Sequence, residues 1–534
     1  MEEFDFIVVG GGPGGCVTAS RLSENPLHHV ALIEAGPDRR GMPHDCTAYG
    51  AAVMTPRKTA NNYGFESTPQ AGLNGRKDFH PLGRGVGGGS AINTLNYVRG
   101  HRLDFDGWAA EGNAGWAYAD VLPYFKKSEN NQSIRDEYHG TSGPMWVEEM
   151  RSHNPYVGIV SQACAEAGIP YNPDVNGEDQ EGFRPAQLMM KNGERWHTGR
   201  AYIYPYLDKR SNLQMMADTE CTRIVFEGKR AVGVEVLSGG SKRTLRARKE
   251  VILASGGILS PKLLQLSGVG SAKDLQALGI ASVADLPGVG ENLCDHLDCI
   301  TGYHIPGDPA LLGISPTGIK ALVRAYKEYK AKRSGYLATC FAEVTGFIRL
   351  HPDSPKPEIQ FYFVPALAQD HGRELFFKHG MSLHSVLLHP KSRGTVKLAS
   401  AKHQDAPLID FKYLSHPDDV RDLVAGTRQM NAVFDTPTFR KLVKAKLNTA
   451  NCKTDADWEA LVRKYSGTVY HPVGTCKMGR DKMAVVDDRL RVHGLHGLRV
   501  VDSSIMPRIV GGNTMAPTIM IGEKASDMIK QDWK

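Results

Sequence analysis

The chain has 534 residues, 41% of them hydrophobic, and a formal net charge of +6, which makes it too long for one simple core and predicts two or more lobes. Its 64 Lys and Arg are interspersed with 58 Asp and Glu, which argues against a nucleic-acid partner, and no apolar run approaches the roughly 18 residues of a spanning helix. Nine Cys, an odd number without C-x-x-C pairs, read as reduced thiols, with no metal site expected, and the acidic start Met1-Glu2-Glu3 is the reverse of a signal peptide, so a cytoplasmic location is expected.

The first element runs from the apolar strand Phe4-Asp5-Phe6-Ile7-Val8-Val9 into Gly10-Gly11-Gly12-Pro13-Gly14-Gly15-Cys16. Gly10, Gly12 and Gly15 stand in G-x-G-x-x-G order: the first for a tight turn, the second for close approach to a pyrophosphate, the third for helix packing on the strand. The helix N-terminus that follows favours phosphate. After a helical run through Val17, Ala19 and Leu22, a second strand, Val30-Ala31-Leu32-Ile33, delivers Glu34, about 20 residues past the glycines, where an acid binds ribose hydroxyls and disfavours NADP. The stretch from Phe79 to Gly100, with Gly83, Gly85 and Gly87-Gly88-Gly89, is too glycine-rich for a strand and too long for a turn, and is expected to lay backbone against a flat ligand.

Residues 105 to 210 mix Trp108, Trp116, Trp146 and Trp196 with helical runs such as Val157 to Cys164 and read as the start of a substrate lobe. Strand character returns at Ala231 to Leu237 and Lys249 to Ser255, followed by Gly256-Gly257 and a helix predicted from Ser260, with Pro261 in its first turn and Gly268 at its end. Ile359 to Val364, Ser382 to Leu388 and Gly394 to Leu398 predict an antiparallel sheet walling a pocket. The fold class expected is α/β: a Rossmann-like dinucleotide domain built discontinuously from 1–150, 210–298 and 468–534, interleaved with a substrate domain of 151–209 and 299–467.

Residues 79 to 100 and 256 to 270 resemble the two signatures of the glucose-methanol-choline (GMC) oxidoreductases. Further matches run through Leu286 to His296, Tyr470 to Gly479 and Val500 to Pro507, in family order from one end of the chain to the other. The resemblance implies FAD-dependent alcohol oxidation, nearest to bacterial aliphatic alcohol, polyethylene glycol and sorbose dehydrogenases and to choline dehydrogenase. It also implies that Gly89, Asn93, Thr94 and Asn96 lie along the flavin, that Cys221 approaches adenine through its backbone and that Asp502 sits near the ribityl-pyrophosphate. Thr514 and Thr518 belong to the start of a final helix whose N-terminus is expected beneath the flavin pyrimidine. Leu82, Gly89, Gly257, Cys294 and Met515 depart from the usual residues. Covalent relatives carry a His before the Asn of the first signature; Ile92 stands there, so FAD is expected to be non-covalent. Glu343 aligns with a Glu that choline-specific relatives use against trimethylammonium, and a structural role is the expectation here.

For the chemistry, His471 is the expected base, a neutral imidazole with a pKa near 6.5, and Asn513 its partner, donating to the developing alkoxide. The substrate expected is a primary alcohol, a sugar, polyol or choline being the alternatives, and the acceptor a quinone-like molecule or oxygen. Rival functions are a hydroxynitrile-lyase-like flavoprotein that makes no redox use of FAD, and an NAD-linked Rossmann enzyme. Residues 319 to 333 combine Ile319, Leu322, Val323 and Tyr326 with six Lys and Arg, which predicts a peripheral contact with the inner face of the cytoplasmic membrane.

Overall fold

A computed structural model describes residues 2–41, 58–370, 373–374 and 377–534. Parts of both expected lobes, 42–57 in the first and 371–372 and 375–376 in the second, lie outside these described residues. The elements that position the site are, in chain order, β1 (Glu2–Val9), α1 (Pro13–Leu22), β2 (Val30–Ile33), β3 (Gly182–Pro185), β4 (Leu213–Met216), β5 (Thr219–Glu227), β6 (Arg230–Ser238), β7 (Ser241–Leu253), α2 (Gly256–Leu266), β8 (Leu297–His304), α3 (Pro316–Lys332), β9 (Val344–Ile348), β10 (Ile359–Val364), β11 (Gly380–Leu387), β12 (Ala445–Lys446), β13 (Ser466–Thr468), β14 (Leu498–Val500) and α4 (Met515–Asp532).

One sheet has the order β4-β2-β1-β7-β6-β5, with β14 on the C-terminal half of β7. β4, β2, β1, β7 and β14 are mutually parallel, and their ends share one row: Met216 opposes Ile33, Ile33 opposes Val9, Val9 opposes Leu253, and Leu253 opposes Val500. Beyond that row lie Gly10, Glu34, Ala254 and Asp502, at the carboxyl ends where open parallel sheets bind ligands. Phe6–Val9 of β1 and all of β2 are apolar runs, as suits parallel strands buried on both faces; all residues from Phe4 to Val9 and Val30 to Ile33 are buried. α4 packs on α1 so closely that a Cβ at Gly522 would stand 2.9 Å from Val17 Cβ, and Glu523 beneath it takes Arg21 Nε at 2.8 Å and the Tyr202 hydroxyl at 2.9 Å.

The second sheet is wholly antiparallel, β12-β8-β11-β10-β9-β3, with β13 also on β8. The strand expected over Gly394 to Leu398 does not join it: Thr395–Lys397 pairs with Leu408–Asp410 in a separate ladder, because Val396 N–H is taken by Gly290 O at 2.7 Å. Trp108 and Trp116 belong to the core of the parallel sheet rather than to a substrate lobe, their indole N–H groups donating to Arg508 O and Asp488 O.

α2 starts four residues earlier than the sequence predicted, at Gly256, so Pro261 falls inside it. Proline has no N–H to offer the carbonyl four residues back. That carbonyl belongs to Gly257, and it accepts the Thr475 hydroxyl instead, at 2.6 Å.

Candidate active site

A cavity of about 1570 Å³ runs from the glycine turn after β1 to the antiparallel sheet, lined among others by Gly10, Gly12, Glu34, Gly89, Asn93, Thr94, Asn96, Cys221, His471, Asp502, Asn513, Thr514 and Thr518. Gly15, the third glycine of the first motif, does not line it: a Cβ there would stand 1.9 Å from Gly10 O, so its task is to close the helix on the turn. Gly12 and Gly89 are of the opposite kind. A Cβ on Gly12 would meet only Ala254 O, at 3.8 Å, and one on Gly89 would meet nothing within 4 Å, so both would project into the cavity itself.

The cradle is backbone packed on backbone. Gly87 N–H donates to Gly11 O at 2.7 Å, and a Cβ on Gly88, whose φ is +51°, would fall 2.7 Å from Gly12 Cα. Glu34 pins the layers together: Oε2 accepts Gly11 N–H at 2.8 Å, and Oε1 accepts Gly36 N–H at 2.7 Å and Gly85 N–H at 2.9 Å. Of about four lone-pair positions on a carboxylate one is left for a ligand hydroxyl. Asp502 is held in a similar way by Gly256 N–H, the Ser260 hydroxyl and Ser504 N–H at 2.9, 2.6 and 2.8 Å. Asn93 Nδ2 lies 3.0 Å from Met515 Sδ, while Asn96, 4% exposed, has a buried Nδ2 with no hydrogen-bond partner among the described residues.

His471 follows β13 through Tyr470, whose left-handed φ of +70° is a strained conformation for a bulky residue. Its N–H is held by Asp295 Oδ1 at 2.8 Å, while Asp295 Oδ2 accepts the Tyr413 and Thr468 hydroxyls at 2.6 and 2.5 Å. Burial pushes this carboxyl up to about 7 although all three donors pull it down. Asn513 Oδ1 accepts the Tyr362 hydroxyl at 2.9 Å and Gln360 Nε2 at 3.2 Å, which fixes the amide with Nδ2 toward His471 Nε2, 3.4 Å away.

The tautomer of His471 follows from its partners. His296 Nε2 lies 3.0 Å from Leu388 O, and a carbonyl only accepts, so this nitrogen carries a hydrogen. Burial, with His389 nearby, pushes His296 down to about 3, so the ring is neutral and its Nδ1 bare. His471 Nδ1 sits 2.9 Å from that Nδ1 and must supply the hydrogen between them. Nε2 of His471 is therefore left with a free lone pair beside Asn513. Burial, then the His296 and His80 rings, hold His471 well below the ordinary imidazole range; the value near 6.5 expected from sequence is corrected downward.

His296, Tyr362, Gln360 and Asp295 were not assigned roles from sequence. Asp295 and His296 lie inside a family-like stretch, which was the only signal; Tyr362 and Gln360 had none beyond strand alternation. Glu343 is absent from the cavity lining although Phe341 and Ala342 are present. Its carboxyl is turned to Ser152, Thr339 and Asn154, and burial raises it.

A dinucleotide turn at the ends of parallel strands, continuous with a cavity holding a histidine and an amide under an antiparallel sheet, defines a flavin-dependent oxidoreductase. The chain belongs to the GMC oxidoreductases: the family's N-terminal model matches residues 4–298 and its C-terminal model residues 390–522. It is 41% identical to an alcohol dehydrogenase [acceptor] of Pseudomonas putida (98% of this chain, 95% of the relative) and 41% identical to an oxygen-dependent choline dehydrogenase of Brucella suis biovar 1 (99% and 95%). A crystal structure of pyridoxine 4-oxidase from Mesorbium loti is similar at a TM-score of 0.87 and 26% identity, over 98% of both chains. The protein is thus an FAD-dependent enzyme of alcohol oxidation, with FAD held non-covalently; Ile92, 6% exposed, offers no atom for a covalent link. The open cradle at Gly12 and Gly89 and the orphaned Asn96 Nδ2 fit that cofactor.

Proposed function

We propose that the protein oxidises a primary alcohol to the aldehyde, with His471 as base and Asn513 as alkoxide donor. Nε2 of His471 takes the hydroxyl proton while a hydride leaves the adjacent carbon, and Asn513 Nδ2 donates to the oxygen as charge develops on it. FAD, when bound, supplies the hydride acceptor, and the two electrons pass on to a quinone-like molecule or to oxygen. The observation that carries this reading is the hydrogen-bond chain from Leu388 O through His296 to His471, which leaves Nε2 unprotonated and aimed at the amide.

In this reading the turn of Gly10, Gly12 and Gly15 holds the pyrophosphate, Glu34 the adenosine ribose and the Cys221 backbone the adenine. Gly89, Asn93, Thr94 and Asn96 lie along the flavin, Asp502 stands near the ribityl chain, and Thr514 and Thr518 present the start of α4. The cofactor lobe comprises 1–150, 210–298 and 468–534, and the substrate lobe 151–209 and 299–467. A non-choline alcohol is favoured because the Glu343 carboxyl is turned away from the cavity. A peripheral position on a membrane would bring a quinone-like acceptor within reach; no helix among the described residues is long and apolar enough to cross one.

The test is anaerobic reduction with alkanols, polyols, choline and aromatic alcohols, followed by reoxidation with oxygen or a quinone. Bleaching near 450 nm by a primary alkanol is expected. A flavin that no alcohol bleaches would defeat the reading and favour a non-redox lyase.

A further inference from the structure

Among the described residues eleven large hydrophobic side chains are exposed, and six of them, Ile314, Ile319, Leu322, Val323, Tyr326 and Phe377, belong to α3 or to the two chain segments at its N-terminus. Ile319, Leu322, Val323 and Tyr326 are 60, 42, 51 and 57% exposed and recur at i, i+3, i+4 and i+7, one stripe of a helix. The side that meets the protein is a different one, carrying buried Gly318, Ala325 and Tyr329. Beyond the apolar stripe Lys320, Arg324 and Lys327 form a second stripe at i, i+4 and i+7, all exposed, with Lys330 and Lys332 following. Of this basic set and Arg333, only Arg333 has an ion pair among the described residues, to Glu194 at 3.2 Å.

α3 is also joined to the rim of the cavity. Leu312 before it and Ala342 after it line the cavity, as do Ala368 and Asp370 in the connection from β10 to β11. Phe377, 75% exposed, lies farther along that connection, and His379 ties it to α3, with Nδ1 2.7 Å from Leu311 O and Nε2 2.6 Å from the Ser315 hydroxyl.

We propose that α3 and the Ile314–Phe377 corner form a docking face for an anionic lipid surface, with the cavity rim held beside the headgroups. An apolar stripe beside unpaired cations suits a helix lying in the interface plane, apolar side chains among the acyl ends and basic ones at the phosphates. Nucleic acid would make no use of the apolar stripe. A second copy docking by the same face would set cationic stripes against each other. The consequence for supply, which rests on the proposed alcohol chemistry, is that an alcohol dissolved in lipid reaches the cavity from the membrane side.

The FAD-loaded enzyme should sediment with phosphatidylcholine vesicles containing phosphatidylglycerol far more than with phosphatidylcholine alone. Replacing three cations together, Lys320→Gln, Arg324→Gln and Lys327→Gln, should weaken binding by about 100-fold, at roughly fivefold per cation. Ile319→Ser with Val323→Ser should weaken it as well. None of these side chains lines the cavity, so bleaching of the flavin by a water-soluble alkanol should be unchanged in every variant. Equal sedimentation with both vesicle types would overturn the proposal, as would variants that bind like the parent, or self-association through α3 without vesicle binding. Vesicle binding by an enzyme whose flavin no alcohol bleaches would leave the docking face standing and remove the alcohol reading alone.

Discussion

A histidine base needs a lone pair at the reacting side, and in the proposed mechanism His471 obtains it through a hydrogen-bond chain that ends on a carbonyl two residues removed. Because burial and the neighbouring imidazoles lower its pKa, the neutral, proton-accepting form persists at pH values where an ordinary histidine is already charged. The rate of flavin reduction should therefore stay within about twofold between pH 8 and pH 6, where an unshifted imidazole would lose most of its base form below 6.5. Stopped-flow reduction across pH tests this, and a half-maximal rate at pH 6.5 that persists in Asp295→Asn, which removes the neighbouring carboxyl raised to about 7, would refute the assignment. Removing the base in His471→Ala should cost roughly 10²–10⁴ in that step. Asn513→Ala removes a single donor and should cost up to about 10²–10³, with the yellow colour retained in both.

α2 shows how an element is bent to the site's needs. A Cβ on Gly257 would lie 2.4 Å from Pro472 O, in the residue that follows His471, so the missing side chain at 257 is what allows α2 and the segment after β13 to meet there. Gly257→Ala should destabilise the fold by about 1–3 kcal/mol and slow flavin reduction at unchanged FAD content; chemical denaturation and stopped-flow reduction measure the two effects separately. What was legible at this scale were features written in consecutive residues. The apolar runs of β1 and β2, the order Gly10, Gly12, Gly15 and the acid at 34 all declare themselves within some 30 residues of chain. His471 and Asn513 were found by resemblance, and the structure brings them within 3.4 Å. The start of α2 was misjudged because proline normally marks a helix's first turn, and the hydroxyl that excuses Pro261 comes from Thr475, over 200 residues on. The His296 chain was illegible for the same reason: Leu388 meets it only through the register of β8 with β11.

At the scale of the molecule, buried charge ties segments far apart in sequence. Arg99 donates to Glu129 Oε2 at 2.5 Å, His139 Nδ1 lies 2.9 Å from Glu129 Oε1, and its Nε2 lies 2.9 Å from Asp174 Oδ2. Asp136, His139 and Asp174 are also close enough to resemble a metal site, but Glu129 and Asp174 already use both ring nitrogens. Their carboxylates raise His139 to about 9 against the cost of burial. A histidine whose pKa rises on folding gives its full stabilisation below about 6.5 and loses it as pH rises through the folded value. The melting temperature should accordingly fall between about pH 6.5 and pH 9, and His139→Gln should start lower at pH 6.5 and show a shallower fall. Equal slopes in parent and variant would show that the network carries no proton linkage.

The residues just beyond the row of strand ends, where the cofactor is proposed to rest, are Gly10 and Glu34 from the first 34 residues, Ala254 from the middle of the chain and Asp502 from near residue 500. On a ribosome the glycine turn thus emerges hundreds of codons before β14 and α4 can complete the seat. On the proposed placement cofactor capture waits for β14, and a chain interrupted before β14 would lack part of the proposed seat. Colour becomes a certificate of full-length folding.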